Sequence, residues 1–126
     1  MTAEARLKIH TLSNLLVRYG YRFSSEADLQ ARMAEVLQSH GHECIREYRL
    51  DARNRVDLWL DGVVIEVKVD GSMSHALHQV DRYINHPQVH GVILAGTPRW
   101  AAESFTQRPV WLGKPFEMVK LTRQFL

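Results

Sequence analysis

The sequence predicts an α/β fold with a mixed central β-sheet of about four to five strands flanked by helices. Two apolar runs on either side of Asp61-Gly62 indicate a β-hairpin, because this dipeptide favours a two-residue turn. Stretches with apolar residues at helical spacing precede and follow the hairpin. The predicted core therefore has the order helix, strand, strand, strand, helix, strand (α-β-β-β-α-β), with an extra N-terminal helix.

Two helices are predicted ahead of the hairpin. The first covers about residues 3–19, where leucines recur at nearly helical spacing. The second covers about residues 25–39, with Ser24 or Ser25 as its N-cap and Gly41 close to its end. Both helices are expected to pack against the sheet.

One helix and one buried strand are predicted after the hairpin. The helix covers about residues 72–86 and ends at Pro87, which cannot continue it. The apolar run 91–96 is bounded by glycines and is expected to lie parallel to the second hairpin strand after a crossover. Three other segments complete the prediction. They are a half-buried strand over 43–50, a short helix within 100–105 and a final strand over 116–121.

The hairpin turn determines which side chains face each other. Closing the turn on Asp61-Gly62 pairs Leu60 with Val63 and, further along, Asp57 with Glu66. Like charges directly opposite each other on a sheet are destabilising, by a few tenths to about 1 kcal/mol. Since side chains alternate along a strand, one predicted face is apolar and holds Val56, Leu58, Leu60, Val63, Ile65 and Val67. The other face holds Arg55, Asp57, Trp59, Val64, Glu66 and Lys68.

A divalent cation would turn the repulsion between Asp57 and Glu66 into attraction. Mg²⁺ takes oxygen ligands and keeps several waters, so two carboxylates and a backbone carbonyl suffice to hold it beside a phosphate. Lys68, on the same face, would position a water or neutralise charge on the phosphate. The alternative is a surface hairpin with a solvated salt-bridge lattice, but the apolar run 63–69 favours a strand that is covered on both faces.

The spacing of these residues resembles a known signature. Asp57, eight intervening residues and Glu66-Val67-Lys68 resemble the PD-(D/E)XK nuclease superfamily, which has the restriction-endonuclease-like fold. The predicted order of elements resembles the core of that family, and Val56 stands where its name-giving proline would be. The resemblance implies a phosphodiester hydrolase that cleaves DNA with Mg²⁺ or Mn²⁺. It also implies Asp57, Glu66 and Val67 as metal ligands and Asp57, Glu66 and Lys68 as catalytic residues.

The same resemblance adds two further catalytic candidates. Glu26 lies in the apolar stripe of the second predicted helix and Glu35 lies opposite, so Glu26 is the acid that faces the sheet. Many family members place a third acidic residue on this helix, which implies that Glu26 is a further metal ligand. The alternative is a glutamate that complements the helix dipole. Gln79 and Tyr83 resemble the Q-x-x-x-Y element, whose glutamine approaches the active site. The alternative is a surface glutamine beside a buried tyrosine.

Contacts with DNA are predicted from basic and aromatic residues near the proposed site. The net charge of +2 is a mild bias that permits nucleic-acid binding without demanding it. Residues 18–23 interleave arginines with aromatics, which would stack on unpaired nucleotides or, alternatively, pack within the protein. The predicted contacts are Arg22, Arg53, Arg55, Arg82 and Tyr83.

Composition limits the classes of protein that this chain can represent. At 126 residues and 45% hydrophobic content, residues 1–126 are expected to form a single domain. No apolar run approaches the roughly 20 residues of a membrane span, and no signal peptide is evident. Cys44 is the only cysteine, so an intramolecular disulfide is excluded and a cytoplasmic setting is expected. The histidine pairs His75/His78 and His40/His42 lack a third ligand of matching register.

The sequence therefore predicts a nuclease that acts on DNA in recombination, repair or phage genome processing. Recognition is expected to be structure-selective or weakly specific, since no recognition domain is evident, and no membrane partner is expected. A homodimer would suit two cuts across a duplex or junction. The alternatives are a non-catalytic nucleic-acid-binding or assembly protein that retains the nuclease fold, and an unrelated α/β interaction domain.

Overall fold

The computed structural model describes residues 3–102 and 110–125 of the chain. These residues form three α-helices, which are α1 (Ala3–Val17), α2 (Glu26–Ser39) and α3 (Met73–Ile84). A short 3₁₀ helix covers Arg99–Ala102. The strands are β1 (Gly20–Tyr21), β2 (Ile45–Arg49), β3 (Arg55–Leu60), β4 (Val63–Lys68), β5 (Gly91–Gly96), β6 (Val110–Trp111), β7 (Lys114–Lys120) and β8 (Thr122–Arg123).

The central sheet is mixed and has the strand order β2-β3-β4-β5-β7-β6. β2, β3 and β4 are antiparallel neighbours, whereas β4, β5 and β7 run parallel to one another. The predicted α/β class, the mixed sheet and the parallel β4–β5 pair are confirmed. The sheet has six strands where about four to five are predicted, because the C-terminal segment folds back as the antiparallel pair β6–β7. β1 and β8 form a separate two-stranded parallel sheet.

Two hydrophobic cores cover the two faces of the sheet. α1 and α2 pack on one face through Leu12, Leu16, Leu29 and Met33, and α3 packs on the other through Val80 and Ile84. β4 lies between both cores, and Val63–Val67 are at most 2% exposed. Burying one such aliphatic side chain contributes about 1.5–3 kcal/mol, so β4 is firmly anchored from both sides.

The hairpin between β3 and β4 has the predicted register. Asp61 and Gly62 have φ angles of 44° and 98°, and a two-residue turn of type I′ requires positive values at both positions. The turn pairs Leu60 with Val63, Trp59 with Val64 and Leu58 with Ile65.

The prediction that Val56 shares a face with Leu58 and Leu60 is wrong. Val56 packs with Val64 in the core under α3, whereas Leu58 and Leu60 pack under α1 and α2. The alternation of side chains therefore breaks at Asp57. The residue of β2 at the level of Asp57, Glu47, has a positive φ of 56°, so both strands are irregular here.

Most predicted helix boundaries agree with the structure. Ser25 and Ser72 are the N-caps of α2 and α3, with their hydroxyls accepting hydrogen bonds from Asp28 N and His75 N at 3.1 Å. The strand predicted over 43–50 is shorter and lies at the sheet edge, where Ile45 is 51% exposed, so its half-buried character is wrong. The short helix predicted within 100–105 corresponds to Arg99–Ala102, and 103–105 lie outside the described residues.

The strand predicted over 116–121 corresponds to β7. Within the described ranges, no helix is long and apolar enough to cross a membrane.

Candidate active site

Asp57 and Glu66 lie on neighbouring strands in the middle of the sheet. They occupy the positions one step beyond the pair Leu58 and Ile65, as the predicted register requires. The backbone N–H of Val67 donates a hydrogen bond of 2.8 Å to Asp57 Oδ2. The Asp57 carboxylate is therefore attached to β4 directly beside Glu66.

Glu66 is the most deeply buried acid of the site. Its side chain is 3% exposed, and Oε1 has no hydrogen-bond partner among the described residues. Lys68 Nζ lies 3.8 Å from Oε2 and is itself largely buried. Burial, followed by the charge of Asp57, raises the pKa of Glu66 well above its ordinary value, and the Lys68 charge opposes this shift.

The pKa of Asp57 is also raised, mainly by burial and further by the nearby Glu26 charge. Glu26 Oε2 accepts a hydrogen bond of 3.3 Å from Val69 N, just beyond β4. The prediction that Glu26 faces the sheet is thus confirmed, and Glu35 lies exposed on the other side of α2, where it pairs with Arg32 at 3.1 Å. Three carboxylates and one lysine therefore surround the C-terminal half of β4.

α3 closes the site from the opposite layer. The hydroxyl of Tyr83 donates a 3.3 Å hydrogen bond to the carbonyl of Arg55, and burial together with the Glu66 charge raises the Tyr83 pKa to about 12. One helical turn earlier, Gln79 Oε1 is buried and has no hydrogen-bond partner in the described part of the chain. Gln79 is therefore not an ordinary surface glutamine.

The residues predicted to contact DNA lie on different surfaces. Arg53 is exposed, Arg55 Nε pairs with Glu47 Oε2 at 3.0 Å, and the Arg82 guanidinium lies 5.7 Å from the ring centre of Tyr83. Tyr83 is 3% exposed, so its ring offers no free face for stacking. Arg22 is exposed beside the first turn of α2, in the layer opposite α3.

Two of the three aromatic residues of segment 18–23 follow the alternative of packing within the protein. Tyr21 and Phe23 are buried in the core under α1 and α2, and the Tyr21 hydroxyl donates a 2.7 Å hydrogen bond to Leu16 O. Tyr19, which is 38% exposed, is the one aromatic residue of this segment that lies at the surface together with the arginines.

The oxygen atoms of the site can be compared with the ligands that a divalent cation requires. Within residues 3–102 and 110–125, no three His, Cys, Asp or Glu side chains are gathered as a ready-made metal cluster. Asp57 and Glu66 nevertheless supply hard oxygen donors side by side, and Glu66 Oε1 is an acceptor without a partner among the residues that the structure describes. An unpaired buried acceptor costs about 1–3 kcal/mol, and a cation or its bound water would remove that cost. The donor set therefore fits Mg²⁺ or Mn²⁺.

Several residues near the site have no recognisable signal in the sequence. Arg32 lines a groove beside α2, and Phe125 lies next to Arg123, but neither belongs to a motif of the sequence. Arg123 is linked by a hydrogen bond to Phe23, a hundred positions earlier in the chain. Contacts over such separations leave no local periodicity from which they could be predicted.

Comparisons with known proteins do not place this chain in a family. No family model matches it, and searches of curated proteins and of solved structures gave no significant match. The interpretation of the site depends on its geometry and chemistry.

Proposed function

We propose that this protein is a Mg²⁺- or Mn²⁺-dependent deoxyribonuclease of the PD-(D/E)XK superfamily. The observation that carries the proposal is the pair of buried carboxylates, Asp57 and Glu66, with the ammonium of Lys68 3.8 Å from Glu66. Facing carboxylates in a covered sheet reduce stability, so their presence favours a role other than folding.

The chain order of the elements supports the finer assignment to the restriction-endonuclease-like fold. α2, β2, β3, β4, α3 and β5 follow the order α-β-β-β-α-β that the resemblance implies. The acidic residues lie on the second and third strands of that series, and Lys68 ends the third.

Asp57 and Glu66 would hold the cation, with Glu26 and the backbone carbonyl of Val67 as the further oxygen ligands. The bound ion would supply a more acidic water and a polarised phosphate. The hydrogen bond from Val67 N to Asp57 restricts the orientation of that carboxylate before any ligand arrives. Such preorganisation lowers the cost of assembling the charged site.

Lys68 and Gln79 would act on the substrate side of the reaction. The Lys68 ammonium is positioned beside Glu66 and would orient the attacking water or stabilise the charge that develops on the phosphate. Its burial strengthens this electrostatic effect because little water screens it. Gln79 brings an amide with a free oxygen to the α3 side of the site and would support the arrangement of water there.

The deep burial of Glu66 favours one second candidate function. A carboxylate that is only 3% exposed would suit a protein that retains the nuclease fold but binds or assembles on nucleic acid without cleaving it. Binding of a divalent ion separates the two functions, because the nuclease requires it and the non-catalytic protein does not.

The proposal is tested by cleavage of labelled DNA substrates: single strand, duplex, flap and four-way junction. Each is incubated with Mg²⁺, Mn²⁺ or EDTA and with wild type, Asp57→Asn, Glu66→Gln or Lys68→Ala. Glu35→Gln is the matched control, since it removes an exposed carboxylate from the outer side of α2. We expect metal-dependent cleavage that is lost in the first three variants and kept in the control.

Two results would contradict the proposal. Cleavage that survives in Glu66→Gln and Lys68→Ala would exclude this site as its source. Absence of cleavage on every substrate, together with tight DNA binding that does not depend on the metal, would instead support the function of a non-catalytic nucleic-acid-binding protein.

A further inference from the structure

An open groove lies beside the N-terminal turn of α2. It has a volume of about 550 Å³ and is lined by Arg22, Phe23, Ser24, Asp28 and Arg32. Glu26 belongs to the same turn and extends in the other direction, to the backbone beyond β4. The groove and the carboxylate site are thus separated by a single helical turn.

Two further arginines make this groove electropositive. Arg123 Nη2 donates to Phe23 O at 2.9 Å, and Arg46 Nη2 donates to Ala27 O at 3.0 Å. Together with Arg22, these arginines surround the segment that begins α2. None of the three forms an ion pair with a carboxylate of the described residues.

The acidic residues beside the groove offset only part of this charge. Asp28 accepts a hydrogen bond from Ser24 N and lies 3.7 Å from Arg32, which also pairs with Glu35. Arg32 balances one of these two carboxylates, and the other is outweighed by the three positive charges of Arg22, Arg46 and Arg123. The groove therefore keeps a net positive charge for an external anion.

An exposed aromatic ring completes the groove. Phe125 is 79% exposed, although it is a large apolar side chain. The guanidinium of Arg123 lies 4.2 Å from the ring centre of the buried Phe23 and 5.1 Å from that of Phe125. A guanidinium beside an open aromatic face is the combination with which proteins bind single-stranded nucleic acid.

We propose that this groove binds an unpaired segment of a DNA strand next to the cleavage site. Arg22, Arg46 and Arg123 contact its phosphates, and one of its bases stacks on Phe125. Stacking on a protein side chain needs a base with a free face, which an intact duplex does not offer. The inference rests on the proposed function and narrows its substrate to DNA that carries a single-stranded region.

Binding is measured in EDTA, so that it does not depend on cleavage. The probes are a fluorescein-labelled oligothymidine and a blunt duplex, and the readout is fluorescence anisotropy over a series of salt concentrations. The variants are Phe125→Ala and Arg22→Gln, whose side chains are exposed. The matched control is Arg6→Gln, which removes an exposed arginine from α1. The first turns of α1 lie near the Asp61 turn, at the far end of β4 from Lys68.

Phe125→Ala is expected to weaken single-strand binding about fivefold or more while duplex binding stays unchanged. Arg22→Gln is expected to weaken single-strand binding and to reduce the slope of log affinity against log salt by about 0.7. Arg6→Gln should bind like wild type.

The inference is overturned if Phe125→Ala and Arg22→Gln bind oligothymidine as wild type does, or if Phe125→Ala weakens single strand and duplex equally. Its failure differs from failure of the proposed function. Cleavage that requires Glu66, combined with unchanged binding in both groove variants, rejects the groove alone. Loss of binding in the groove variants without any cleavage by wild type rejects the nuclease and retains the groove as a DNA site.

Discussion

Replacing Asp57 by asparagine is expected to make the metal-free protein more stable at mildly alkaline pH. Asp57 is buried near Glu66 and Glu26, and these surroundings raise its pKa. The amide oxygen of asparagine can keep the 2.8 Å hydrogen bond from Val67 N, while the negative charge disappears. Lys68 then remains as the partner of Glu66.

The expected gain follows from the protons bound by the folded and unfolded states. Below the ordinary pKa values of 3.8 and 4.5, Asp57 and Glu66 are neutral in both states and cost nothing. As pH rises, the unfolded chain ionises first and the folded protein only at its raised pKa values. Stability is therefore lost over that window, by about 1.4 kcal/mol for each unit of pKa elevation.

Like charges that face each other on a sheet cost up to about 1 kcal/mol when exposed, and burial enlarges this cost. We therefore expect Asp57→Asn to stabilise the protein by about 1–2 kcal/mol at alkaline pH, with each kcal/mol raising Tm by about 4 °C. The gain should shrink as pH falls through the raised pKa of Asp57 and vanish below the ordinary value of 3.8, where the carboxyl is neutral in both states.

The assay is urea unfolding in EDTA, followed by tryptophan fluorescence at alkaline and at acid pH. Glu66→Gln should be at least as stable as wild type at alkaline pH. Asp51→Asn is a control of opposite sign, because hydrogen bonds from Arg53 and Asn54 lower the pKa of Asp51 and its charge is favourable above that pKa. The reasoning is refuted if Asp57→Asn is less stable than wild type at alkaline pH, or if its gain is the same at acid pH.

Three further predictions concern the proposed chemistry. Lys68→Met should reduce the initial rate of cleavage about a hundredfold or more. DNA binding in EDTA, measured by anisotropy, should be unchanged. An equal loss of binding would contradict a role of Lys68 in the chemical step. Because burial and Asp57 raise the pKa of Glu66, Mn²⁺ affinity measured by calorimetry should increase with pH, and a pH-independent affinity would exclude Glu66 as a ligand. Gln79→Leu removes a buried oxygen that lacks a partner, so it should unfold at the same or higher urea concentration yet cleave about tenfold more slowly. An unchanged cleavage rate in Gln79→Leu would show that the amide does not serve the site.

The carboxylate site could be predicted because its geometry is encoded locally. The turn residues Asp61 and Gly62 adopt positive φ angles and thereby fix the pairing of β3 with β4. Extending that pairing by one residue places Asp57 beside Glu66, where the hydrogen bond from Val67 N holds its carboxylate. The N-cap at Ser25 likewise fixes where α2 begins and so orients Glu26.

Alternation failed at Val56 because the strands are irregular at that level. Glu47 has a positive φ, which costs a residue other than glycine about 1 kcal/mol or more. No local sequence pattern predicts this conformation. Tertiary packing of Val56 with Val64 compensates for that cost and turns Val56 towards α3.

The groove beside α2 was beyond prediction for a different reason. β1 and β8 contain two residues each, too few for any periodic signal, and they pair across about a hundred residues. The sequence left open whether the aromatic residues of segment 18–23 stack on nucleotides or pack within the protein, and Tyr21 and Phe23 are buried because burying a large apolar side chain is favourable. The aromatic ring beside Arg123 that is most exposed belongs to Phe125, at the other end of the chain.

The small parallel sheet of β1 and β8 supports the groove beside α2 through backbone contacts. Backbone pairing of Gly20 with Thr122, Tyr21 with Arg123, and the hydrogen bond from Gln124 N to Tyr21 O hold the two chain segments together without using the side chains of Arg22 or Phe125. Those two positions can therefore change in size or charge while the scaffold under them persists. If the proposed function holds, substitutions there should change which DNA strand structure is bound and leave Asp57, Glu66 and Lys68 in place, so this edge is the place to start engineering altered DNA selectivity.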